Sequence, residues 1–117
     1  MDWYIAKIVF RITTEETRQR PQFDEQLRLI GAESEEEAFM KARMIGLREE
    51  DAFLNDAQKT VKWEFINVAE ILPLSRIEDG VEIYSQIHET DEANAYIQCV
   101  HQKAIYLRTH LKPADAL

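Results

Sequence analysis

The chain reads as an α+β domain: an antiparallel sheet of about four strands with two helices packed on one face, in the order β-β-α-β-β-α. Three observations predict this. Apolar residues alternate with a period of two near the N-terminus and again from Phe23 to Ile30. The stretch Val61 to Leu74, VKWEFINVAEILPL, is long and β-prone enough for a central strand. Helical spacing takes over after Ser34 and again near the C-terminus.

Trp3 to Ile12 places Tyr4, Ala6, Ile8, Phe10 and Ile12 on one side of a strand and Trp3, Ile5, Lys7, Val9 and Arg11 on the other, so one face is fully apolar. Thr13 to Pro21 is polar and is expected to be a solvated loop. In the second strand Phe23, Glu25, Leu27 and Leu29 share a face, with Asp24, Gln26 and Arg28 opposite. Ser34 followed three residues on by Glu37 is a capping box, and Glu35, Glu36 and Glu37 sit where a helix start favours negative charge. Ala38, Ala42 and Ile45, with Met40, Met44 and Leu47 beside them, are expected to cover the sheet. Gly46 marks the helix end or a tight approach near it.

Arg48 to Thr60 is expected to be a loop pinned by Phe53 and Leu54. In the central strand Val61, Trp63 and Phe65 point one way, and Lys62, Glu64, Ile66, Val68 and Leu72 the other, so that its second half is apolar on both sides and enters the interior. Pro73 closes it. Val81 to Ile87 alternates and predicts the fourth strand. Thr90 or Asp91 then caps a terminal helix whose Ala93, Ile97, Val100, Ala104, Leu107 and Leu111 form one stripe. Residues 1–112 are expected to make one domain, with 113–117 a frayed tail.

Composition narrows the function classes. The chain has 117 residues, 45% hydrophobic and 31% charged, in the range of globular domains. Its net charge of -8 disfavours nucleic acid and anionic membrane, because phosphate binding depends on Lys and Arg displacing counterions. Cys99 is the single cysteine, which excludes an intramolecular disulfide. The N-terminal residues lack the basic and long apolar regions of a secretion signal, so a cytoplasmic protein is expected.

Trp3 to Ile12 (WYIAKIVFRI), Gln22 to Ile30 (QFDEQLRLI), the helix from Ala32 (AESEEEAFMKA), Phe53 to Asn55 (FLN) and Val61 to Phe65 (VKWEF) together resemble the bacterial domain-of-unknown-function family numbered 4288. The resemblance implies a small bacterial protein and no particular activity. It directs attention to Lys7, Arg11, Gln22, Asp24, Glu25, Gln26, Lys62, Trp63 and Glu64.

If the three long strands are neighbours, Lys7, Arg11, Asp24, Gln26, Lys62 and Glu64 could form a polar binding face. A ladder of solvated cross-strand pairs is the more common use of such residues. Asp24 and Glu25 are adjacent and point to opposite faces, which makes a catalytic carboxylate pair a poor reading. His101 and His110 lack the i, i+4 spacing of a helical zinc pair, and no Gly-rich phosphate loop is present, so neither a metal nor a cofactor is expected. Cys99, Trp63, Met40 and Met44 are expected in the core, and Trp3 is a candidate interface residue. The reading is a non-enzymatic protein-interaction module that pairs with itself as a homodimer or with another protein. One alternative is an acidic immunity-type or inhibitor protein for a basic partner. Another is a small-molecule-binding protein or enzyme using the charged sheet face. Loops 13–21 and 48–60 are candidates for ordering on binding.

Overall fold

The computed structural model describes residues 1–15 and 20–112. Its elements follow the order β1 (Asp2–Thr14), β2 (Gln22–Ala32), α1 (Glu35–Arg48), β3 (Asp51–Leu54), β4 (Thr60–Leu74) and α2 (Ala93–His110). The four strands form one antiparallel sheet, ordered β2-β1-β4-β3. The chain divides into two compact units, Met1–Ser85 and Gln86–Leu117. The sheet and α1 belong to the first and α2 to the second.

The α+β class and the order β-β-α-β-β-α are those expected from the sequence, but the fourth strand is not. Val81 to Ile87 forms no strand; the additional strand is Asp51–Leu54, within the stretch read as a loop. Four residues are too short for periodicity to register. β3 exists because Asn55 closes a tight hairpin, its Oδ1 accepting from Ala57 N at 2.9 Å and Lys59 N at 3.0 Å. β1 also runs two residues further than expected, through Thr13 and Thr14, which pair with Lys62 and Val61. Part of the expected 13–21 loop and the expected 113–117 tail lie outside the described residues.

One face of the sheet builds the core. Tyr4, Ala6, Ile8 and Phe10 of β1 join Ile30 and Ala32 of β2 and Ala38 and Ala42 of α1, and every one of these is buried. The two alanines let α1 lie close across β1, β2 and β4. Gly46 extends that contact: a Cβ there would stand 2.3 Å from Cδ1 of Phe65. The Phe65 ring meets Phe10 edge to face at 6.1 Å. Met40, Met44 and Leu47, expected on the covering face, are exposed instead. The small-residue side of the helix is the buried one, because only it permits backbone-to-ring approach.

α1 begins as its capping box predicts. Ser34 Oγ accepts from Glu37 N at 3.1 Å, and the Glu37 carboxylate reaches back to Glu33 N at 3.2 Å. At its far end Glu49 N closes onto the carbonyls of Ile45 and Gly46.

β4 carries the main correction to the reading of the central strand. Its register against β1 shifts twice, leaving Ala69 and Ile66 without partners. Each bulge inserts one residue and reverses the in/out parity. Trp63, Phe65, Val68 and Ile71 therefore share the core face, while Lys62, Glu64, Asn67, Glu70 and Leu72 share the other. Apolar residues on both sides of this stretch mark the bulges. They do not mark burial on both faces, and Ile66 stays half exposed.

The second face of the sheet is partly covered by the chain after β4. Val81 N closes a turn onto Glu78 O at 3.2 Å, with Gly80 at φ +84, a conformation that favours glycine. Ile77, Val81 and Ile83 then stand around a cavity of about 250 Å³ with Ile5, Leu27, Leu29 and Leu74. The alternation that predicted a strand is real, but it serves this apolar covering and makes no backbone ladder.

In the second unit, α2 starts after Glu92 rather than at Thr90 or Asp91, and Thr90 Oγ1 accepts from Glu92 N at 3.1 Å. No residue of α2 is buried. Its apolar stripe is thus exposed, and so is Cys99, which the sequence suggested as a core thiol.

Candidate functional site

The strands carrying the candidate polar residues are neighbours, as the order β2-β1-β4 requires, but the six residues do not share a face. Lys7 pairs in register with Glu70, Arg11 with Glu64 and Thr13 with Lys62, which puts Lys7, Arg11, Lys62 and Glu64 on the face away from α1. Asp24 stands opposite Phe10 and Gln26 opposite Ile8, which puts both on the α1 side. A single site containing all six is not formed. Glu25 lies opposite Val9, so Asp24 and Glu25 are on opposite faces, as their adjacency predicts.

On the α1 side the polar residues make a connected chain at the core's edge. Trp63 Nε1 donates to Asp24 Oδ2 at 3.1 Å, and Gln26 Nε2 donates to the same oxygen at 2.6 Å. Arg28 donates to Gln26 Oε1 through Nε at 3.1 Å and Nη2 at 2.7 Å, and through Nη1 to Glu49 Oε1 at 3.1 Å. Its Nη2 also pairs closely with Glu49 Oε2. The chain joins β4, β2 and the end of α1 through charge-assisted bonds. Next to it, Glu50 Oε2 accepts from Phe65 N at 2.9 Å, taking the place a longer β3 would occupy. Glu37 of the acidic run Glu35–Glu37, and Glu49 and Glu50 of a second acidic run, Glu49–Asp51, therefore have structural bonds.

On the other face Lys7 is the central polar group. Its Nζ donates to the Tyr84 hydroxyl at 3.0 Å, lies 5.1 Å from that ring's centroid, and is 3.8 Å from Glu70. Tyr84 above all, then Glu70, hold the Lys7 ammonium above its ordinary pKa, against the opposing effect of burial. The ammonium thereby ties the segment after β4 to the sheet. Arg11 lies over the Phe23 ring at 5.9 Å.

Lys62 and Glu64 also line a shallow depression of about 430 Å³ at the end of β1 and β4, with Thr13, Thr14, Glu15 and Thr60. Hydrogen bonds from the Thr60 side chain and backbone hold the Glu15 carboxyl below its ordinary range. Trp3 is half buried on the Lys7 face, opposite Leu74 and Gly31. Trp63 packs against the core as expected.

Tyr84, Glu70, Glu49 and Thr60 were not among the sequence candidates. Glu49 was visible only as part of an acidic run. Nothing local to Tyr84 announces a partner 77 residues away. Among the described residues no three His, Cys, Asp or Glu side chains are grouped to hold a metal ion, and no helix is long and apolar enough to cross a membrane. His88 stacks on Tyr96 and His110 on Tyr106 within the second unit.

None of the curated proteins and none of the solved structures matches the chain. A family model does, over residues 3–85, which end where the first unit ends. The sheet, α1 and the segment carrying Tyr84 are the matched part, and the chain belongs to the family described as Domain of unknown function (DUF4288).

Proposed function

We propose that this chain is a non-enzymatic protein-interaction module of the bacterial cytoplasm that associates with itself as a homodimer. The supporting observation is its exposed apolar surface. Phe23, Leu27 and Leu29 stand together on β2 at 54%, 44% and 48% exposure, and α2 presents Ile97, Val100, Leu107 and Leu111 without burying a residue. Scattered exposed apolar residues are normal on a monomer, but contiguous ones mark a surface that is covered in use. An eighteen-residue helix is near the length at which isolated helices are marginal in water, so covering its stripe would stabilise it.

The polar groups support the same reading. Lys7, Asp24, Gln26 and Arg28 are engaged with one another's neighbours or with Tyr84, Trp63 and Glu49. These bonds are the work of a scaffold. The test is solution mass by light scattering after size separation, over a wide concentration range at low and high salt. A dimer that persists at high salt is expected from apolar contacts, which salt does not screen. A monomer at every concentration would overturn the proposal.

A further inference from the structure

The sheet has two long margins, and they are treated differently. On the β4 side β3 covers only Thr60 to Trp63. Beyond it, Glu50 occupies the Phe65 amide, Asn67 Oδ1 accepts from Val68 N at 2.9 Å, and the Ile66 and Ala69 bulges distort the strand. Bulges and side-chain plugs of this kind prevent another strand from pairing. On the β2 side the Lys41 ammonium bonds the Gly31 carbonyl near one end, and among the described residues no such device stands between Gln22 and Ile30. β2 runs eleven residues, pairs with β1 in one unbroken register from Gln22 to Ala32, and contains no proline. A regular uncovered edge is a template for a further strand.

We infer that the β2 edge of one copy pairs antiparallel with the β2 edge of a second copy about a two-fold axis at Gln26, joining two four-stranded sheets into one. This inference rests on the homodimer reading and names its surface. Charge and apolar patterns choose the register. With Gln26 opposite itself, Asp24 faces Arg28 of the second copy on the α1 side, and Arg28 faces that copy's Asp24. Both existing bonds to Asp24 use Oδ2, which leaves Oδ1 to accept from the incoming guanidinium. On the other face Phe23 meets Leu29 of the second copy, covering two of the exposed apolar residues named above. A two-fold axis at Glu25 would instead place Glu25 against itself, and one at Leu27 would place Asp24 against Ile30. Only the Gln26 axis pairs opposite charges twice, and it closes as an isologous dimer.

Single cysteines in a Cys99→Ser background test the register in the full chain. Residues directly opposite across an antiparallel pair have Cα atoms about 4.5–5.5 Å apart, within disulfide range. Gln26→Cys should therefore cross-link to a covalent dimer under mild oxidation. Leu29→Cys should not, because six residues of register separate it from its symmetry mate by roughly 20 Å. Phe23→Lys should raise the dimer dissociation constant by at least about tenfold, since it removes apolar burial at two symmetric places. Circular dichroism of each variant confirms that it is folded. A wild-type dimer in which Gln26→Cys fails to cross-link, or Leu29→Cys cross-links equally well, overturns the β2 interface while leaving self-association standing. A wild-type monomer overturns both.

Discussion

Replacing Gly46 by alanine sets two well-defined effects against each other. Alanine is a better helix former than glycine by about 1 kcal/mol, so in an exposed helix the change stabilises. Here the new methyl would stand 2.3 Å from Cδ1 and 2.4 Å from Cε1 of Phe65. Carbon atoms prefer about 3.5–4.0 Å, so the overlap exceeds 1 Å roughly, more than a small adjustment absorbs. Phe65 cannot turn aside without disturbing its edge contact with Phe10, which contributes about 0.5–1.5 kcal/mol. Overpacking of this kind costs about 1–3 kcal/mol. The net expectation is a destabilisation of about 2 kcal/mol. That lowers the thermal midpoint by roughly 8–16 °C for a unit of this size. Urea unfolding followed by tryptophan fluorescence, from Trp3 and Trp63 together, and by circular dichroism measures it, and the midpoint should fall with the slope unchanged. Gly31→Ala is the milder comparison: there the nearest atoms are the flexible Met1 Sδ at 2.9 Å and the Trp3 ring edge at 3.1 Å, and the effect should stay within about 1 kcal/mol. A Gly46→Ala protein as stable as the wild type would show that α1 does not need a bare backbone against Phe65, and the helix-sheet packing argument would be wrong.

Two further outcomes follow from other parts of the first unit. Ser34→Ala removes the bond to Glu37 N and should destabilise by about 1 kcal/mol in the same urea assay, whereas Ser34→Asp should retain stability. Lys7 is held above its ordinary pKa, so it contributes stability that is complete below the unfolded-state value and is lost as pH rises through the folded one. Relative to the intrinsic base-catalysed rate, protection of the Val81 amide, which closes the turn onto Glu78, should fall at the alkaline end of the pH range in the wild type and already at neutral pH in Lys7→Met. Equal protection of that amide in Lys7→Met and wild type would count against Lys7 as the anchor of its segment.

Much of the first unit is legible from local pattern. The alternation in β1 and β2, the Ser34 capping box and the small-residue spacing of α1 each predict what is found, because each depends on contacts within a few residues. The candidate polar face is less legible. Asp24 and Gln26 separate from Lys7 and Arg11 because face assignment across strands depends on register, and register is a pairing property. Alternation alone placed Lys62, Glu64 and Val68 together; the bulge at Ile66, set by how β4 matches β1, sends Val68 to the core instead, and the second at Ala69 restores the original parity for Glu70 and Leu72.

The sequence by itself determined the α+β class, the order of elements, the acidic charge, the start of α1 and the apolar face of β1. These are composition and short-range periodicity, which act before any distant contact forms. Only the tertiary structure decided that Asp51–Leu54 is a strand and Val81–Ile87 is not, that Lys7 holds Tyr84, and that Trp63, Asp24, Gln26, Arg28 and Glu49 form one chain of bonds. The Lys7–Tyr84 and Trp63–Asp24 bonds join residues 77 and 39 positions apart in sequence. Their partners are chosen by packing and register, which no local window contains.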